Sequence, residues 1–90
     1  MSELTPRLSS QFKRDLKKQY LLLVSPEWAE VFSLLVKNEK LPEKYKDHQL
    51  TGNLKIYREC HVKPDLLLMY KIHENELQLI RLGTHSELFS

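Results

Sequence analysis

Hydrophobic positions change period once along this chain of 90 residues. Leu8, Phe12, Leu16, Tyr20 and Leu23 recur three or four apart and fall close to one helical face, which predicts a helix from Ser9 or Ser10. Either serine suits the cap, because its hydroxyl accepts a free N–H of the first turn. The apolar run Leu21–Val24 is too short to outweigh that period. Ser25-Pro26-Glu27 predicts a second helix start: serine caps, proline tolerates the first helical position, and glutamate complements the positive helix end. Trp28, Val31, Phe32 and Leu35 continue it at helical spacing to about Asn38. Residues 9–38 thus read as an antiparallel helical hairpin. Leu4–Leu8 contains Pro6, which limits it to an edge strand or an extended arm.

Past the polar connector Leu41–Gln49 the period drops to two. Leu54, Ile56, Arg58, Cys60 and Val62 alternate with Lys55, Tyr57, Glu59 and His61, as on a strand with two unlike faces. Lys63-Pro64-Asp65 makes a turn, since proline presets φ and aspartate favours turns. Leu66–Ile72 is apolar around Tyr70, the pattern of a central strand covered on at least one face. His73-Glu74-Asn75 turns the chain again, Leu77–Leu82 forms the last strand, and Gly83 lets the chain bend into Thr84-His85. The order is α-α-β-β-β in one domain, residues 1–90, with no repeat or linker.

Composition narrows the function classes. Hydrophobic residues make up 41% and charged residues 29% of the chain, and no apolar run approaches the ~20 residues that span a bilayer. Arg7, Lys13 and Arg14 interrupt any signal-peptide core, and the single cysteine, Cys60, rules out an intrachain disulfide; a cytoplasmic protein with no membrane association is expected. Two glycines leave no room for a Walker A loop, and no GxSxG elbow occurs. The net charge of +2 is unevenly spread: Arg7, Lys13, Arg14, Lys17 and Lys18 stand against Asp15 alone. Such a stripe suits phosphate or an acidic partner surface, and equally an ordinary solvated helix face.

Candidate chemistry lies between Tyr45 and Phe89. His48, His61 and His85 fall at the edges of consecutive strands, near Asp47, Glu59 with Asp65, and Arg81 with Thr84. Metal-free RNA cleavage needs a base for the 2′-OH proton, an acid for the leaving 5′-oxygen and a cation for the developing charge. These residues include candidates for each role. The histidine spacings match no compact zinc motif and there is no CxxC pair, so neither metal nor cofactor is expected.

The segments YKDHQL, YRECHVKPDLLLMYKI and LIRLGTHSELF resemble the YafQ-type branch of the RelE/ParE toxin superfamily, over the whole chain and most specifically over Tyr45–Phe89. The resemblance implies an α+β fold with a helical hairpin packed on a small, twisted, mainly antiparallel sheet. It implies the toxin of a type II toxin–antitoxin pair, a metal-independent mRNA endoribonuclease acting on ribosome-bound message through 2′-OH attack. It also implies a small DNA-binding antitoxin with a wrapping segment, operator DNA being reached only through that complex. By motif, His48 stands in DHxL, His61 and Asp65 in HVxPD, and His85 and Phe89 in GTHxxLF; Glu59 and Arg81 match an acidic and a basic family position. Leu54 and Leu66 stand where relatives often carry tryptophan, and Ile56 where glycine is common. A second reading keeps the fold and makes the chain a non-enzymatic, ParE-like inhibitor of DNA gyrase; a third makes it a binding module with incidental histidines. The histidine set favours the ribonuclease.

Overall fold

The computed structural model describes residues 3–89. Strand β1 (Thr5–Leu8) leads into helix α1 (Ser10–Lys18), a 3₁₀ turn at Tyr20–Val24, and helix α2 (Pro26–Val36). A second 3₁₀ turn, Glu43–Tyr45, precedes the two-residue strand β2 (His48–Gln49). Then follow a turn at Gly52–Leu54, strands β3 (Arg58–Lys63), β4 (Leu66–His73) and β5 (Glu76–Gly83), and helix α3 (His85–Phe89). The five strands form one sheet in the order β1-β5-β4-β3-β2. β2 through β5 pair antiparallel, and β1 joins the far edge parallel to β5. Pro6 therefore sits on an edge strand, where its missing N–H costs no ladder bond. Among the described residues no helix is long and apolar enough to cross a membrane.

Both predicted helix caps form. Ser9 Oγ accepts from the Phe12 amide at 2.9 Å, and Ser25 Oγ accepts from the Trp28 amide at 3.2 Å. α2 ends as predicted near Asn38, whose φ of 57° is the left-handed turn-off common after a helix. The first helix is shorter than its apolar period suggests. It stops at Lys18, and Leu8, Tyr20 and Leu23 point to solvent instead of joining the core face. Gln19 breaks the α geometry, and in the tighter turn that follows Leu22 is the side chain that turns inward.

α1 packs on β5 and α2 on β3, so the two helices lie side by side on one face of the sheet. Phe12 and Trp28 meet between them at 6.4 Å, and Trp28 stacks on Phe32 at 5.6 Å. Beneath them Cys60, Val62, Leu68, Tyr70, Leu77, Leu79 and Leu82 form the buried floor. Leu77, Leu79 and Leu82 share that face despite their uneven spacing, because a register shift opposite Met69/Tyr70 absorbs Ile80 as an extra residue. The central strand β4 is buried continuously from Leu66 to Tyr70. β3 begins at Arg58, not Leu54: Leu54 ends a 3₁₀ turn and Ile56 is exposed, so neither belongs to the alternating strand.

Candidate active site

The sheet face away from α1 and α2 carries the candidate cluster. Along β3, Cys60 and Val62 face the helices, so Glu59 and His61 face the other way. β2 pairs His48 directly with Glu59. His48 Nε2 lies 3.3 Å from Glu59 Oε1, and His61 Nε2 lies 3.9 Å from the same oxygen. Glu59 is only 5% exposed, and its Oε2 is buried without a hydrogen bond. One carboxylate thus sits between two imidazoles, with an unspent acceptor.

Backbone carbonyls fix both rings from behind. His48 Nδ1 is 2.8 Å from the Lys46 carbonyl, and His61 Nδ1 is 3.4 Å from the Pro64 carbonyl. A carbonyl only accepts, so Nδ1 of His48 carries hydrogen. That leaves Nε2 as the ring nitrogen turned toward Glu59 Oε1.

Asp47, noted in the sequence as a proton-transfer neighbour of His48, faces elsewhere. Its carboxylate accepts from Tyr70 Oη at 2.5 Å and from Arg58 Nη2 at 3.1 Å. Burial first, and the Asp47 carboxylate second, push the Tyr70 hydroxyl well up from its ordinary value. Tyr70 therefore stays a neutral donor. This anchor ties the short strand β2, and with it His48, to the body of the sheet.

Cross-strand register carries the site toward β5. Glu59 pairs with Met69 and Met69 with Arg81; His61 pairs with Leu67 and Leu67 with Gly83. Gly83 is thus two strands from His61, about 10 Å at ordinary strand spacing. His85 opens α3 two residues later, exposed, with its ring 5.0 Å from Phe89. A reciprocal cap sets that helix start: the Thr84 amide donates to Glu87 Oε1 at 2.8 Å, and the Glu87 amide donates to Thr84 Oγ1 at 3.2 Å. Gly83 makes the cap possible, because a Cβ there would lie 2.7 Å from Glu87 Oε1.

The remaining sequence candidates are placed less centrally. Asp65 lies exposed in the β3–β4 turn and contacts neither histidine directly. Arg81 is engaged by Asp15 of α1, Nε to Oδ2 at 2.8 Å. Lys13, Arg14, Lys17 and Lys18 lie exposed on α1, across the sheet from Glu59 and His61. The sequence did not reveal Asp15 as a structural partner; its only mark is being the one acid in a basic helix.

The class of protein is a small α+β fold with two helices on one face of the sheet, and His48, Glu59 and His61 lie together on the other. The chain belongs to the YafQ family, bacterial toxins of type II toxin–antitoxin systems, whose model matches residues 4–90. It is 47% identical over 60 residues to an Escherichia coli (strain K12) mRNA interferase toxin YafQ, an alignment spanning 66% of this chain and 65% of that relative. A metal-bound toxin from Helicobacter pylori has the same fold with a TM-score of 0.85 and 48% identity, covering 96% of this chain and 99% of that one. YafQ in the E. coli DinJ–YafQ toxin–antitoxin complex superimposes with a TM-score of 0.84 at 36% identity, over 98% and 99% of the two chains.

Proposed function

We propose that this chain is the toxin of a type II toxin–antitoxin pair and an endoribonuclease that cuts mRNA, on the ribosome, by metal-free acid–base chemistry. The observation that carries the reading is the His48–Glu59–His61 cluster, in which both Nε2 atoms turn to one buried carboxylate oxygen. His48 Nε2 takes the 2′-OH proton, the freed oxygen attacks the adjacent phosphorus, and the bond to the 5′-oxygen breaks. Glu59 offsets the charge that His48 gains. His85, from the far side of the phosphate, returns a proton to the leaving 5′-oxygen. His61 contacts the phosphate and tunes Glu59. Arg81 has N–H groups left after binding Asp15 and offers them to developing phosphate charge. Phe89 beside His85 gives a base a ring to stack on.

The E. coli relative is named an mRNA interferase, and the E. coli toxin is seen with its antitoxin DinJ, which supports the activity and an antitoxin partner here. A Helicobacter pylori toxin of the same fold is metal-bound, so the test of this reading includes metal removal. The test is purified protein with ribosomes and message, with and without EDTA. Cleavage should survive EDTA. Losing a general acid or base costs about 10²–10⁴-fold in rate, so His85→Ala should lose that much while keeping its circular dichroism. A folded His85→Ala protein that cuts at the wild-type rate would remove His85 from the reaction.

A further inference from the structure

A cavity of about 450 Å³ opens beside His61, and the proposed chemistry makes no use of it. β2 pairs only with Arg58 and Glu59, so the edge of β3 at His61, Val62 and Lys63 is left open, and the cavity lies along that edge. Lys44 and Lys46, from the Glu43–Tyr45 turn and its end, form one wall, and Lys63 the other. The exposed Pro64 ring supplies apolar surface beside them, over the buried Val62. Glu27 is the one carboxylate on the lining.

The three ammonium groups are available. Lys46 and Lys63 have no carboxylate partner among the described residues, and Lys44 meets Glu30 only at 3.6 Å with its side chain 65% exposed, a contact that water and salt screen heavily. The frame holding them is firm. Tyr45 beside them is buried and donates to Glu30 at 2.5 Å, and Lys46 adopts φ 51°, ψ 42°, a left-handed geometry uncommon for lysine. That same Lys46 carbonyl orients His48. The cavity and His48 therefore share one turn, and His61 lines the cavity from β3.

We propose that this cavity is a nucleotide subsite: it takes the phosphodiester flanking the scissile one, with Lys44, Lys46 and Lys63 around the phosphate and the Pro64 ring under the sugar or base. The proposal rests on the ribonuclease reading for its context but is tested by binding alone. Because His61 lines the cavity, a strand seated there delivers the next phosphate to the His48–His61 pair.

The probe is a short single-stranded oligonucleotide with 2′-deoxy sugars, which the enzyme cannot cut. Its affinity is read by fluorescence anisotropy across a salt series, for wild type, for Lys44→Ala/Lys46→Ala/Lys63→Ala, and for the charge-matched control Lys37→Ala/Lys40→Ala/Lys55→Ala. Each phosphate neutralised on a single strand adds about 0.7 to the slope of log K against log salt. The cavity variant should bind at least about tenfold more weakly with a slope shallower by about 0.7, and the control should change by less than about threefold. On the matching RNA the cavity variant should lose through KM more than through kcat. Equal losses in the two triple variants, or a wild type that does not bind the oligonucleotide, would overturn the subsite. A wild type that cuts RNA with no binding loss in the cavity variant refutes the subsite and leaves the ribonuclease standing. Loss of oligonucleotide binding without any RNA cutting by wild type does the reverse.

Discussion

Glu59 contacts two histidines through one oxygen and leaves the other buried and unbonded. A fold selected for stability alone gains little from such a group, since an unsatisfied buried acceptor costs about 1–3 kcal/mol. Its position points to use during turnover. Glu59→Gln keeps the shape and removes the charge. A hydrogen bond to a charged group contributes about 1.5–3 kcal/mol, so cleavage should slow by about 10- to 100-fold, whereas the melting temperature should hold or rise. Paired thermal melts and single-turnover rates check this. A variant that melts lower yet cuts normally would make Glu59 a packing residue.

At the scale of elements, α1 does more than cover β5. β1 pairs with β5 only as far as Leu79, and from Ile80 onward α1 completes that edge. Ser9 Oγ donates to the Ile80 carbonyl at 2.7 Å, and the Leu82 amide donates to Asp15 Oδ2 at 2.9 Å. Burial alone would raise the Asp15 carboxyl, but the Arg81 hydrogen bond, the Leu82 amide and the Arg81 charge outweigh it and hold it below the ordinary 3.8. A carboxyl lowered by folding contributes its full stability above that ordinary value and loses it as pH falls through the lower folded one. Acid unfolding should therefore steepen below about pH 4 in wild type and be flatter in Asp15→Asn. At pH 7 the asparagine variant should be less stable by about 3 kcal/mol, the cost of breaking a buried pair. Denaturant melts at pH 7 and pH 3 measure both. α3 offers a second case. Gly83→Ala pushes Glu87 out of its cap; a lost cap costs about 0.5–2 kcal/mol, here confined to the short helix carrying His85. Cleavage should fall while global stability barely moves, and an unchanged rate would show that α3 forms without the cap.

Across the whole molecule, the basic stripe of α1 and the His48–Glu59–His61 cluster lie on different sides of the sheet. The exposed Lys13, Arg14, Lys17 and Lys18 run along α1 toward the corner where Tyr20, Leu21, Leu23 and Val24 are exposed. A basic stripe ending in an apolar corner suits a ribosome or an acidic partner better than the scissile phosphate, which lies beyond the sheet. Single exposed charges contribute about 0–1 kcal/mol, so the stripe acts only as a group. Reversing all four charges should weaken ribosome or antitoxin binding and flatten its salt dependence, with the cleavage of a short free RNA much less affected; equal affinity at every salt concentration would make the stripe a solvated face. Co-expression with the adjacent reading frame should restore growth that the toxin alone arrests, and the two chains should co-purify. Expression alone without growth arrest or RNA cutting, and no bound neighbour, would end the toxin reading.

What the sequence determined by itself is local. Caps at Ser9 and Ser25, the Pro26 helix start, the Glu74–Asn75 turn and the central strand through Tyr70 follow from residue chemistry within a few positions. The three separated motifs also placed the family. Tertiary structure decided the rest, because it depends on which strands become neighbours. The parallel pairing of β1 with β5, the register shift that lets Leu82 share a face with Leu77 and Leu79, and the early end of α1 are set by packing across the sheet. So is half of the site: His61 shares a face with Glu59 by its spacing along β3, but His48 reaches Glu59 only because β2 pairs with β3 in one register. Asp47 turns to Tyr70 and Asp15 to Arg81 across 23 and 66 positions of chain, a reach that no local pattern records.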